Sequence, residues 1–283
     1  MRMTVLSSLR SAGGLLRALR QRVDQLTAML ERQRRSQAQV EAFSANVAHE
    51  LRAPLQTLIT GTELTMRDAE LPPRVQERLG ANLDELRRMQ GIVADMLFLS
   101  RAHAGHRARR QGVDSLAALS AEVAAYHDAA LEEAGLTLHI DGEAVGDFDA
   151  ALLKRALSNL IANATRYAAA GSVLRVGIEG HRSGLVRLWV ANTGPVIAAE
   201  RLPRLFDRFM STDAAGGDDH LGLGLSIVDA IARMHGGAPF ARSDERETRI
   251  GFTLSGGRSG RAYTARRSPS STATLPASPT LPP

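Results

Sequence analysis

Between Leu15 and His103 a helical repeat of apolar residues breaks at one place, Asp68–Pro73, where Pro72 and Pro73 stand together. The pattern predicts a lead-in helix over 15–41, Arg- and Gln-rich, with Leu16, Leu19, Val23, Leu26 and Leu30 at helical spacing. It runs straight into a helix over 37–67, and a second long helix covers 74–103. At ~100° per residue, Val40, Phe43, Val47, Leu51, Leu55 and Leu58 fall in one apolar sector, and Leu79, Leu83, Leu86, Val93 and Leu97 do so on the second helix. A hairpin with one stripe on each helix leaves part of both in water. Pairing two hairpins into a four-helix bundle covers them, so a homodimer is expected.

Beyond Val113 the pattern changes. A helix over 115–134 precedes a strand at Leu136–Ile140 and a helix opened by Asp149. Strands Ser172–Glu179 and Leu185–Asn192 flank Gly180–Gly184, and a Gly-rich loop leads to a helix that stops before Gly236-Gly237. Strands near 238–243 and 248–254 complete an α+β sandwich, one mixed sheet with helices on one face. Residues 256–283, rich in Ser and Pro, read as a disordered tail.

The absence of cysteine excludes disulfides, thiolate metal sites and cysteine nucleophiles. No segment approaches the ~18 uninterrupted apolar residues of a membrane span. The chain is basic overall at +5, but the excess sits at its ends. Residues 1–40 hold eight Arg against Asp24 and Glu31, and the tail holds Arg258, Arg261, Arg266 and Arg267 without an acid. The body between is acidic and has no zinc-finger or stacked-aromatic pattern, so nucleic acid is not an expected partner.

Chemistry concentrates in short runs. In Phe43-Ser44-Ala45-Asn46-Val47-Ala48-His49-Glu50-Leu51-Arg52-Ala53-Pro54-Leu55, His49 lies about 180° from the centre of the apolar row, an outward imidazole beside an acid. Pro54 removes a donor and crowds the Glu50 carbonyl, which predicts a bend next to it. On the helix opened by Asp149, Asn159, Asn163 and Arg166 are spaced i, i+4, i+7 on one face, while Leu153, Leu157, Leu160 and Ala164 form a separate apolar face. Two amides and a guanidinium in line suit Mg²⁺ and triphosphate oxygens. Gly222-Leu223-Gly224-Leu225 opens a helix, where main-chain amides and the dipole favour phosphate. His103 and His106 lack an evident third metal ligand, and Trp189 reads as core.

These runs, in this order from about 37 to 255, resemble those of bacterial two-component sensor histidine kinases, closest to the heavy-metal sensor-like branch. His-Glu-Leu-Arg-x-Pro-Leu is similar to the family's phosphoacceptor box. The resemblance makes His49 the nucleophile toward the γ-phosphate of ATP and gives Glu50 the setting of its tautomer. Arg155–Tyr167 is similar to the N-box, with Asn163 matching the magnesium ligand, Arg166 a phosphate contact and Tyr167 expected near adenine. Related ATPases carry Glu where Asn159 stands, and an amide cannot activate water, which favours transfer over hydrolysis.

Val190–Ile197 resembles the adenine box, with Asn192 in place of the usual Asp, Gly194 matching, and Val196 in place of a second Gly. An amide oxygen still accepts the adenine amino group, so altered base contact is expected. Leu205-Phe206-Asp207-Arg208-Phe209 resembles the Phe-containing box, with Arg208 toward phosphate. Residues 211–221 look like an ATP lid, but Asp213, Asp218 and Asp219 stand against His220 alone, which disfavours a phosphate clamp.

The implied organisation is 1–36 as a signalling helix, a remnant of a membrane-proximal linker; 37–108 as dimerisation and phosphoacceptor domain; 113–255 as Bergerat-type ATP-binding domain; and 256–283 as tail. The implied fold is a dimeric helical hairpin followed by an α/β sandwich. The implied partner is a response-regulator receiver domain, and the implied place is the cytoplasm, membrane-associated if the chain is a shortened membrane sensor. Ala53 replaces the Thr with which relatives position a water for dephosphorylation, so weak phosphatase activity is expected. The alternatives are a nucleotide-binding dimeric scaffold with little catalysis, and a non-enzymatic helical module with basic arms.

Overall fold

A computed structural model describes residues 2–67, 71–181, 183–210 and 222–256, with side chains of 2–19, 30 and 34–45 left aside. The expected lid at 211–221, the tail from 257 and the turn residues 68–70 lie outside the described residues. So do the side chains of Leu16, Leu19, Leu30, Val40 and Phe43.

One helix, α1 (Arg2–Met66), takes up the lead-in and the first predicted helix without a break, and starts ahead of residue 15, where the lead-in is expected to begin. Pro54 sits inside it, and the helical assignment continues through it. Pro73 opens α2 (Pro73–His103), a position where its missing N–H costs nothing. The two pack through Ala48 and Leu55 of α1 against Val93 and Leu97 of α2, with Leu86 and Met96 at the margin. Arg87 meets Glu63 at 2.8 Å and Gln90 donates to Gln56 at 2.8 Å, fixing the helices' relative register.

Part of the predicted α1 stripe stays uncovered: Val47, Leu51 and Leu58 are 37%, 43% and 55% exposed. The same helix also exposes Val23, Leu26 and Met29 further up. Among the described residues no helix is long and apolar enough to cross a membrane.

The second half folds as predicted in kind, with three corrections. First, the helix expected over 115–134 is two, α3 (Leu116–Tyr126) and α4 (Asp128–Glu133), because the backbone turns at His127. Second, short strands β1 (Gln111–Val113) and β3 (Gly146–Phe148) form an extra antiparallel pair. At three residues each they fall below any periodicity signal. The main sheet comprises β2 (Thr137–Gly142), β4 (Val173–Gly180), β5 (Leu185–Asn192), β6 (Pro239–Ser243) and β7 (Thr248–Ser255) in the order β2-β4-β5-β7-β6. β2 runs parallel to β4 and the other pairs are antiparallel.

Helices α3, α5 (Ala150–Tyr167) and α6 (Gly224–Met234) cover one face. Leu174, Val176, Leu188, Phe252 and Leu254 alternate into that face and are almost wholly buried. Each such side chain contributes about 1.5–3 kcal/mol.

Third, Trp189 is buried, but on the opposite face of the sheet. It pairs in register with Gly177 and Gly251, and a Cβ at Gly177 would fall 2.0 Å from the indole. Arg249 covers the ring at 3.9 Å and Nε1 donates to Glu179. Period-2 alternation puts Trp189 on the outer face, and the flanking glycines give the ring its bed.

Candidate nucleotide and phosphoacceptor sites

Helix α5 buries Leu153, Ala156, Leu157, Leu160, Ile161 and Ala164 against the sheet. That stripe turns Asn159, Asn163 and Arg166 away from the core together, as their spacing predicts. The helix start is held by a node that sequence reading missed. Asp149 Oδ1 caps the Leu152 N–H, and its Oδ2 accepts from the Arg109 N–H. Its own N–H donates to His235 Nε2 at 3.0 Å.

His235 is wholly buried at the end of α6 and donates through Nδ1 to the Ile231 carbonyl at 2.9 Å. Both ring nitrogens are therefore committed to the neutral form, and burial holds the pKa below its ordinary value. His127, 2.9 Å from Ser158 Oγ on α5, is lowered by burial too. The unfolded chain takes up protons near pH 6.5 and the native one lower down. Stability is thus complete above about pH 6.5 and declines below it, mainly through the wholly buried His235, with a smaller, solvent-screened part from His127. Urea midpoints at pH 5.5 should lie below those at pH 7.5, and equal midpoints would contradict this.

At its other end α5 meets the strand turn after β5. The Ala169 N–H donates to the Thr193 carbonyl at 2.7 Å. A Cβ on Gly194 would lie 2.1 Å from the Tyr167 carbonyl and 3.1 Å from Asn192 Nδ2, so only glycine permits this approach. Asn192 is buried. The Arg166 guanidinium lies 5.3 Å from the Tyr167 ring. The end of α5 that carries Arg166 and Tyr167 thus lies against the turn that carries Asn192 and Gly194, with Asn163 and Asn159 one and two turns back along the same helix.

The loop ahead of α6 adjoins the same helix. Gly222 has φ +65°, and a Cβ there would meet the Met210 backbone within 2.9 Å. Leu223 is buried, Gly224 begins the helix, and Leu225 packs at the edge of the core. Gly224 lies beside Asn159, where a Cβ would come 3.6 Å from Oδ1. Asn159 Nδ2 is buried and has no partner. An orphaned amide donor next to a glycine-led helix N-terminus fits a phosphate oxygen bound between them. The residues present thus fit the phosphate groups of a nucleotide.

Two expectations change. Arg208 Nη2 lies 2.8 Å from His103 Nδ1, at the end of α2. This places it against the helical hairpin, not on the α5 face. Beside it, Phe209 is the described non-glycine residue with positive φ, 62°. His103 is therefore a contact between the two halves, and among the described residues no cluster of His and acids could hold a metal ion. On α1, His49 and Glu50 are both exposed, and no hydrogen bond joins their side chains. Adjacent helical residues diverge, which is why the pairing expected from the sequence is not formed.

Comparison with known proteins agrees with this geometry. Residues 148–257 match the family described as Histidine kinase-, DNA gyrase B-, and HSP90-like ATPase, and residues 39–105 match the His Kinase A (phospho-acceptor) domain. The sensor histidine kinase CusS of Escherichia coli (strain K12) is 38% identical over 219 residues, 75% of this chain and 45% of CusS. The sensor protein CopS of Pseudomonas syringae pv. tomato is 34% identical over 221 residues, 77% of this chain and 45% of CopS. Full-length ShkA, solved in complex with AMPPNP, shares the fold with a TM-score of 0.67 at 24% identity, over 75% of this chain and 45% of ShkA. The chain spans about half the length of the curated relatives it matches. It belongs to the two-component sensor histidine kinases, in the branch that includes CusS and CopS.

Proposed function

We propose that the chain is an ATP-dependent protein-histidine kinase that phosphorylates His49 and passes the phosphoryl group to an aspartate of a response-regulator receiver domain. The observation that carries this reading is the orphaned Asn159 amide facing the N-terminus of α6 on the surface shared with Asn163 and Gly194. Asn192 and Tyr167 hold the base, Asn159 and the 222–225 amides take phosphate oxygens, and Arg166 adds positive charge. Mg²⁺, held through Asn163, supplies neutralisation of the triphosphate.

A neutral His49 nitrogen attacks the γ-phosphorus. The N–P bond forms as the bond to the β-phosphate oxygen breaks and ADP departs. The ring proton is then shed to solvent, to which the exposed His49 is open. Because His49 is exposed, the phosphorylated ring stays open to a second protein. Catalysis is mostly positioning and electrostatics.

A homodimer is part of the proposal. Val47, Leu51 and Leu58 stay exposed on the side of α1 that α2 does not cover, and a second hairpin would bury them. The test is incubation of the protein with Mg²⁺ and γ-labelled ATP. Label that is lost in acid and survives base is a phosphoramidate, and its absence overturns the reading.

Weak phosphatase activity follows from Ala53, one turn beyond His49 and exposed, with no side-chain donor or acceptor. Installing a hydroxyl there, Ala53→Thr, is expected to speed dephosphorylation of the receiver about ten-fold or more. An unchanged rate would remove the role given to this position.

A further inference from the structure

The outward row of α5 continues one turn before Asn159, to Arg155, and Arg155 is partly buried against α2. Its Nη2 lies 2.5 Å from Asp95 Oδ1, and its guanidinium stacks 4.2 Å over the Phe98 ring. Both partners come from α2, and the Asp95 and Arg155 side chains are 33% and 32% exposed. One turn on, Leu99 is 1% exposed and part of the same core as α5 and α6. A second tie lies further along, where Arg208 reaches His103.

The other side of α2 is also taken. Asp95, Leu99 and Ala102 lie about 180° around the helix from Val93 and Leu97, which pack on Ala48 next to His49. Helix α2 therefore stands between the α1 helix of its own chain and the nucleotide face. A helix with side chains is about 10 Å across, whereas transfer needs the reacting atoms about 3–3.5 Å apart. In this arrangement the nucleotide face cannot reach its own His49. Arg208, which the family resemblance directs to phosphate, is meanwhile held by His103.

We infer that Asp95 and Phe98 are positioning residues for phosphoryl transfer: by holding Arg155 they park the ATP-binding domain on the flank of α2 opposite His49. The opening of that tie sets the rate of autophosphorylation. The inference rests on the kinase reading above. Asp95 acts through Arg155 and touches no nucleotide.

Asp95→Asn keeps the shape and removes the charge. Its labelling rate at saturating ATP is expected to rise about five-fold, the population shift from weakening one partly screened pair, with KM for ATP unchanged. The charge-swapped pair Asp95→Arg with Arg155→Asp should return the rate toward the parent's. Hydrogen exchange of α2 amides 92–102 in the full chain reads the tie without any catalysis, and should quicken in Asp95→Asn. A parent rate or a slower one, a change in KM alone, or a swap that restores nothing overturns the inference. If the parent takes no label, the kinase reading fails by itself. Hydrogen exchange then decides the tie, and identical exchange in parent and Asp95→Asn overturns it.

Discussion

Asn163→Ala should reduce labelling by ATP at least about a hundred-fold, the scale seen when a group that stabilises transferring charge is removed. The side chain lies on the outward row of α5, one turn from the orphaned Asn159 amide, and the apolar stripe of the helix does not depend on it. The protein should therefore keep its fold while losing the magnesium requirement of nucleotide binding. Circular dichroism and a nucleotide titration with and without Mg²⁺ would check this. If labelling survives at the parent level, Asn163 is not the ligand and the cation must be held elsewhere.

The second large effect is expected at the other end of the reaction. His49→Gln should carry no acid-labile phosphate, because nothing else exposed on that turn of α1 offers a nitrogen lone pair. Nucleotide affinity should be untouched, since α1 packs on α2 and not on the α5 surface. Acid-labile label that persists in this variant would move the phosphoacceptor to another residue, with His103 and His106 next to be tested. The two variants separate loading from acceptance: one removes the cradle, the other the nucleophile.

The sequence alone predicts much of this arrangement, and the parts it misses have physical reasons. Long elements with strong periodicity are legible: α2, α5 and the strands of the main sheet come out close to their predicted bounds, as does the end of α1, which begins at Arg2 and not at the expected residue 15. So does the face that gathers Asn159, Asn163 and Arg166, because helical spacing decides it. The pair β1 and β3 is too short to leave a pattern. The break between α3 and α4 carries neither Gly nor Pro. Trp189 reads as core because aromatic residues usually are. Its outer-face bed shows only once Gly177 and Gly251 are known to flank it across strands.

Contacts between the two halves are the least legible. Asp95, Phe98 and His103 meet Arg155 and Arg208 over long separations in the chain, and no local pattern marks them. The same holds for His235, whose Nε2 fixes the start of α5 from the far end of α6. A histidine before two glycines reads as a helix end. Its burial and its bond to Asp149 are tertiary facts, yet they position the nucleotide face as surely as the N-box residues do.

Calorimetric titration of the full chain with ATP, in the presence of Mg²⁺ and again in chelator, bears most directly on whether α5, the turn at Gly194 and the start of α6 form a working cradle. Saturable binding of one nucleotide per chain, weakened when the cation is withdrawn, is the outcome expected. A flat titration at millimolar ATP with Mg²⁺ present would contradict the account, since no phosphoryl group could then reach His49.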